Sequence, residues 1–251
     1  MNNINVISHR GANRRAPQNT IPAFRKSLEI GVDGFETDVH LTQDGVPVIC
    51  HNYDIEATSN GKGPIRDKSF EELRKFDFGS YFSTVYVETK IPALDEFLAL
   101  CKENPVKVMN IELKPPKDKS LEIVKITIDK VKEYGLFNSL IISSFSPAII
   151  KECKNVDENT KTGFLYCQKN KDYVSRLMFD YVNVAKALRA DYLHPQSYCV
   201  TKRYVEKLHE NGIGVNPWTV DSDREIKRMI ACGVDGIITD VPDRVNFILA
   251  E

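Results

Sequence analysis

Hydrophobic and polar positions alternate most sharply between Gly34 and Leu41, where Phe35, Thr37, Val39 and Leu41 interleave with Glu36, Asp38 and His40. A period of two is that of a β-strand, with one apolar or β-branched face and one ionisable face. Two residues of strand rise separate Glu36 from Asp38 by roughly 6.6 Å at Cα, so both carboxylates point the same way and can converge on one cation. Gln43-Asp44-Gly45 supplies turn chemistry, and Val46 to Cys50 reads as a second, mostly apolar strand ending on His51.

The remaining pattern is a regular exchange of short apolar runs and helical periodicity. Asn5 to Ser8 reads as a strand ending at His9-Arg10-Gly11. Thr20 is a plausible N-cap, Pro22 suits a first helical turn, Ile21, Phe24 and Leu28 share a face, and Gly31 closes the helix. Residues 52 to 92 break the rhythm: 58 to 64 is turn-rich, Phe70 to Phe76 reads as a short helix, and Phe78 to Tyr86 is aromatic. Further strands are predicted at Val106 to Leu113, Leu140 to Ser144, Thr162 to Tyr166, Tyr192-Leu193, Gly214 to Val220 and Gly236 to Thr239. Helices are predicted at Leu94 to Cys101, Leu121 to Tyr134, Pro147 to Cys153, Val174 to Leu188, Lys202 to Glu210, from a cap at Asp221 to Ala231, and at Asp243 to Leu249.

With Val46 to Cys50 taken as an extension of the second strand, the count is eight strand-helix units. An internal echo supports it: residues 31 to 38 match residues 233 to 240 at six of eight positions, each a glycine terminator feeding a strand. The expected architecture is a (β/α)8 TIM barrel, one domain over residues 1–251, with a small insertion at 52–92 after the second strand. A doubly wound open sheet is the alternative, weakened by the absence of a Gly-x-Gly-x-x-Gly turn after the first strand. The echo also isolates Glu36, whose counterpart is Ile238. The fold does not require a carboxylate there, so Glu36 needs another reason.

Composition narrows the function. A hydrophobic content of 42% over 251 residues supports a sizeable core, and a net charge of −1 argues against a nucleic-acid footprint or a polybasic membrane surface. No apolar run reaches transmembrane length and residues 1 to 8 lack a signal-peptide pattern, so a cytoplasmic protein without membrane insertion is expected. The six cysteines form no Cys-x-x-Cys pair and are expected as free thiols.

In a barrel the C-terminal strand ends face one mouth, where active sites lie. Those ends carry His9-Arg10, Glu36 and Asp38, His51, Glu112 and Lys114, Ser143-Ser144-Phe145, Tyr166, His194, Trp218 and Asp240. Glu36, Asp38 and Glu112 offer three hard oxygen donors suited to one divalent cation, Mg2+ or Ca2+. Lys114 shares a strand face with Glu112 as a fixed cation, and Arg10 is a bidentate donor suited to phosphate. His9 and His51 meet the need for a base and an acid in ester cleavage. Trp218 is a candidate aromatic wall for the substrate. His194 and Phe145 are lining candidates, His40 is expected behind the carboxylates or facing solvent, and His209 has no assigned role.

These residues lie in motifs that resemble, in order along nearly the whole chain, the glycerophosphodiester phosphodiesterase family of the phosphatidylinositol-phospholipase-C-like barrel superfamily. The matching stretches include His9-Arg10-Gly11, Pro17-Gln-Asn-Thr20, Glu36-Thr-Asp38, Thr42 to His51, Thr58 to Gly63, Ile91-Pro-Ala-Leu94, Ile111-Glu-Leu-Lys114, Ser144-Phe145, Trp218-Thr-Val220 and Thr239 to Asp243. The resemblance implies His9 and His51 as the acid-base pair and Glu36, Asp38 and Glu112 as ligands of one divalent cation. It implies Arg10 and Lys114 on the phosphate, and residues 52–92 as a segment shaping the alcohol side. The implied reaction is hydrolysis of a small glycerophosphodiester to sn-glycerol 3-phosphate and an alcohol. The alternatives are lysophospholipase D-like activity on longer-tailed substrates and a phosphodiester-binding pseudoenzyme. Two departures stand out: Gln18 where the family usually has glutamate, and Asn52-Tyr53 between His51 and the aspartate that usually follows it directly.

Overall fold

The computed structural model describes residues 4–115, 121–167 and 180–251. Eight parallel strands form the barrel wall: β1 (Asn5–His9), β2 (Gly34–Leu41), β4 (Val108–Leu113), β5 (Leu140–Ser144), β6 (Lys161–Tyr166), β7 (Tyr192–Pro195), β8 (Gly214–Val215) and β9 (Gly236–Thr239). A short β3 (Pro47–Ile49) folds back antiparallel on the end of β2, with Leu41 opposite Pro47. Hydrogen bonding runs β8-β7-β6-β5-β4-β2-β1-β9. The wall closes where Asp235 N donates to Val215 O, Ile238 N to Pro217 O and Val220 N to Ile238 O.

The helices are α1 (Ile21–Ile30), α2 (Phe70–Leu73), α3 (Leu94–Glu103), α4 (Glu122–Glu133), α5 (Pro147–Val156), α6 (Tyr181–Leu188), α7 (Lys202–His209), α8 (Asp223–Cys232) and α9 (Pro242–Leu249). The signals that announced α1 operate as expected. Thr20 Oγ1 accepts from Ala23 N, Pro22 occupies the first turn, and Gly31 takes the left-handed conformation (φ +81°) that ends the helix. Phe24 of α1 then packs on Phe35 of β2 and Phe97 of α3, with ring centroids 4.8–5.8 Å apart. Phe35 and Val39 face that apolar layer, which leaves Glu36 and Asp38 to the inside of the barrel.

Several boundaries differ from the sequence reading, three of them with consequences in the C-terminal half of the barrel. Regular pairing of β8 stops at Val215; beyond it Trp218 forms an isolated bridge to Gln196, and Pro217 O and Val220 N hydrogen-bond to Ile238 across the seam. Pro217 has no N–H to extend the ladder. The cap of α8 is Ser222, which accepts from Glu225 N. Asp221 instead accepts from Asp240 N and the Thr239 hydroxyl, tying β9 to the preceding loop. The expected helix from Val174 is described only from Tyr181, behind an Asp180 cap, and residues 174–179 lie outside the described residues.

Between β3 and α3 the chain forms two 3-10 turns and α2 around its own apolar cluster of Ile55, Ile65, Leu73, Phe78 and Ile91. Its far end leaves Val85 82% and Val87 58% exposed. All six cysteines are unpaired. No described helix is long and apolar enough to cross a membrane.

Inside the barrel, below the mouth, His194 is fully buried, and its Nε2 lies 3.2 Å from Asn216 Nδ2. Gly163 makes room for it: a Cβ there would meet the imidazole at 2.5 Å. Burial pushes the His194 pKa down to about 3. An unfolded chain takes up this proton near pH 6.5, whereas the native state does not until about pH 3. The unfolded state therefore binds more protons across that window, and stability falls as pH falls from about 6.5, by up to about 1.4 kcal/mol per pH unit. His194→Gln is expected to make the decline of the thermal midpoint between pH 6.5 and 4 shallower than in the wild type. Parallel pH profiles for the two proteins would remove His194 as its source.

Candidate active site

Successive strands deliver the charged residues to one end of the barrel. Glu36 and Asp38 project inward from β2, and Glu112 from β4, where it is in register with Asp38. Their carboxylate oxygens approach within 4.8 Å of one another, and all three residues are buried. Lys114, just past β4, sets its ammonium between two of them, 2.8 Å from Asp38 Oδ1 and 2.5 Å from Glu112 Oε1. Arg10 follows β1 with φ +56°, a conformation few non-glycine residues adopt. That turn lets its backbone N–H donate to Glu36 Oε2 at 3.1 Å and brings its guanidinium Nε to 3.4 Å from Asp38.

These contacts split the carboxylates electrostatically. Burial opposes ionisation of Asp38, but Lys114, Arg10 and His51 outweigh it and hold the acid well below the ordinary range. Glu36 is driven well above that range by burial and then by Asp38 and Glu112. Glu112 is pushed up to about 7 by burial and Asp38, against the pull of Lys114. Three buried carboxylates against two fixed cations leave an excess of negative charge, which is expensive in a low-dielectric site unless a cation or a proton neutralises it. An all-oxygen donor set of this kind fits a divalent metal ion.

The imidazoles stand on either side. His9 Nδ1 lies 2.6 Å from Asp240 Oδ1, and Asp240 also accepts from Asn13 Nδ2. Burial disfavours the Asp240 carboxylate, yet the His9 hydrogen bond and Arg14 hold its pKa below the ordinary value. With Nδ1–H donated to Asp240, His9 keeps Nε2 free, 3.9 Å from Glu36. His51 Nδ1 lies 2.7 Å from Asn52 Oδ1, and burial lowers its pKa. Asn52, one of the two departures, thus engages His51 directly. Gln18, the other, accepts from Arg10 Nη1 at 2.7 Å.

His9, Arg10, Glu36, His51, Glu112 and Trp218 all line one cavity of about 140 Å3. Trp218 is fixed by its Nε1 donating to His194 O at 2.7 Å and by edge-on contact with Phe145 at 5.6 Å. The echo noted in the sequence recurs in space, since Glu36 and its counterpart Ile238 line the same cavity. His51, Glu112 and Phe145 also border a wider groove of about 440 Å3 with Tyr53 and Lys114, so the cavity opens outward.

Two mouth candidates lie elsewhere. Tyr166 faces the helix layer, where its hydroxyl meets that of Tyr204 and its ring stacks on Tyr181. His194 is sealed in the barrel interior. His40, expected behind the carboxylates or facing solvent, is buried with Nε2 3.3 Å from His51 O. Conversely, sequence reasoning missed Asn19. In a left-handed conformation (φ +57°) it donates from Nδ2 to Asp38 Oδ2 at 2.8 Å and accepts from the Thr37 hydroxyl. Its signal was its place in Pro17-Gln-Asn-Thr20 beside a cap. It also missed Asn110 and Leu165, which carry no charge to mark them.

Fold and mouth together define a (β/α)8-barrel hydrolase. The chain belongs to the glycerophosphoryl diester phosphodiesterase family, whose sequence model matches residues 9–244. It is 36% identical over 239 residues to a glycerophosphodiester phosphodiesterase of Caldanaerobacter subterraneus subsp. tengcongensis, covering 95% of this chain and 94% of that one. Among solved structures it is similar to a Silicibacter pomeroyi protein assigned to the same activity (27% identity, TM-score 0.90, 98% and 93% covered). It shares the fold of an Oleispira antarctica phosphodiesterase solved with its product sn-glycerol-3-phosphate (24% identity, TM-score 0.87, 98% and 97% covered).

A divalent cation, if held by the carboxylates, would stabilise the fold by mass action. At one hundred times its dissociation constant, Mg2+ or Ca2+ should raise the thermal midpoint by roughly 5–10 °C. Glu36→Gln and Glu112→Gln should each reduce that shift. An unchanged midpoint across millimolar concentrations of both ions would exclude them from the cluster.

Proposed function

We propose that this chain hydrolyses glycerophosphodiesters to sn-glycerol 3-phosphate and an alcohol such as choline or ethanolamine. The observation that carries the reading is the convergence of His9, His51, Arg10, Glu36 and Glu112 on one cavity. The activity named for the Caldanaerobacter relative and the product bound by the Oleispira enzyme support the same substrate class.

Glu36, Asp38 and Glu112 would hold one divalent cation, Mg2+ or Ca2+. When bound, such an ion supplies a positive charge that stabilises a phosphoryl oxygen as charge builds there. The chain's own residues do the rest. Arg10 offers guanidinium donors to the phosphate, and Lys114 keeps Asp38 and Glu112 in position while presenting its charge to the outer groove. The glycerol 2-hydroxyl attacks phosphorus as one of the two histidines takes its proton. The other protonates the departing alkoxide, and water then opens the cyclic phosphate with the roles exchanged. Asp240 keeps the His9 ring oriented and stabilises the imidazolium that forms whenever His9 holds the extra proton.

Residues 52–92 would contribute the wall on the alcohol side, through Tyr53 and Asp54 of the outer groove. The exposed apolar positions Tyr81, Phe82, Val85 and Val87 favour a second reading, in which a longer-tailed lysophospholipid is the preferred diester.

The test is release of glycerol 3-phosphate from glycerophosphocholine and glycerophosphoethanolamine with Mg2+, Ca2+ or EDTA. Release is expected only with a cation, and His9→Ala and His51→Ala should each lower it by roughly a thousandfold with the fold retained. Normal turnover by either variant removes that histidine from the mechanism. Faster turnover of lysophosphatidylcholine would favour the second reading.

A further inference from the structure

One buried polar side chain at the base of the cavity has no work within the fold. Asn110 lies on β4, two residues before Glu112 on the same strand face and in register with Glu36. It is 1% exposed, and it lines the cavity together with Phe145, Leu165, Trp218 and Ile238. Neither its Oδ1 nor its Nδ2 has a hydrogen-bond partner among the described residues. Buried amides are ordinarily satisfied, and one left with both a donor and an acceptor unmet is suited to a ligand that brings both.

We infer that Asn110 reads the terminal hydroxyl of the substrate's glycerol, an inference that rests on the function proposed above. Position along the strand decides which part of the substrate reaches it. Arg10 and Glu112 mark the level of the phosphate, beyond the register row that holds His9, Glu36 and Asn110. Asn110 stands one inward-facing position deeper along β4 than Glu112, whereas the groove bordered by Tyr53, Asp54 and Lys114 opens to the outside. The group that descends from the phosphate is therefore small and enclosed, and the leaving alcohol lies outward. Leu165, Ile238 and Trp218 accommodate the carbon chain of glycerol, and Asn110 supplies the polar pair that a hydroxyl needs in such surroundings. A hydroxyl can accept from Nδ2 and donate to Oδ1 of suitable amides, a match that a methyl group cannot make. Asn110 acts here as a specificity-determining residue; the nucleophilic 2-hydroxyl and its proton are handled by the histidines.

The experiment compares glycerophosphocholine with its 1-deoxy analogue, the phosphocholine diester of propane-1,2-diol, which keeps the nucleophilic hydroxyl. The wild type should prefer the glycerol diester by roughly 10- to 100-fold in kcat/KM, the range one or two hydrogen bonds to a buried partner supply. In Asn110→Ala and Asn110→Leu this preference should shrink to within about threefold. Asn110→Leu should also melt no lower than the wild type, because it replaces an unsatisfied amide with an apolar side chain of similar shape. A preference retained in both variants would overturn the inference. So would an equal loss on both substrates accompanied by weaker cation binding, which would tie Asn110 to the carboxylates, or a marked fall in the melting temperature of Asn110→Leu. Failure of the wild type to cleave glycerophosphocholine at all would instead remove the reaction on which the inference rests.

Discussion

The Lys114 ammonium, seated on Asp38 and Glu112, is the contact on which the mouth of the barrel depends. Barrel register forces carboxylates from two adjacent strands into one desolvated space, and like charges there repel strongly. Lys114 and Arg10 offset part of that repulsion, and the remainder is relieved by keeping Glu36 protonated or by binding a cation. A divalent cation would turn the balance to a single positive charge, opposite in sign to the single negative charge of a phosphodiester. A proton on Glu36 and a divalent cation thus serve the same end, and with all three carboxylates ionised, cation and substrate together would bring the site to neutrality.

A second tier of uncharged groups fixes the charged ones. Asn19 grips Asp38 and Thr37, Gln18 takes one Arg10 donor, Asn52 meets His51, and Asn13 joins His9 on Asp240. The loop after β1 supplies three of these four amides, and its turns put Arg10 and Asn19 in left-handed conformations. Such backbone is costly and persists where surrounding contacts over-determine it. Here the contacts run from the turn into the carboxylates, so the strain and the site share one scaffold.

Much of this was legible in the chain because charge and periodicity announce themselves. The alternation through Glu36 and Asp38, the Thr20 and Gly31 caps, and the echo between residues 31–38 and 233–240 were enough to infer parallel strand-helix units. What stayed hidden is what depends on side-chain direction or distant partners. Tyr166 ends a strand like its neighbours, but it shares its face with Phe164 and so turns to the helices, while Leu165 lines the cavity. Ser222 rather than Asp221 caps α8 because Asp221 is needed by Asp240, a contact that local spacing cannot reveal. Asn110 looks like any polar residue in an apolar strand until its lack of partners is seen.

The pairing of His9 with Asp240 joins the first strand of the barrel to the end of the last, across 231 residues of sequence. During synthesis on the ribosome, the first half of the chain can collect all three carboxylates, Arg10 and both histidines, yet His9 has no orienting partner until β9 emerges and docks beside β1. Contacts of such long sequence separation form late in folding because closing the loop is entropically costly. His9 is therefore set in place by the same event that closes the barrel. A partly made chain can display the carboxylates, Arg10 and Lys114 before Asp240 is there to orient His9, which ties the completed geometry of the site to the completion of the fold.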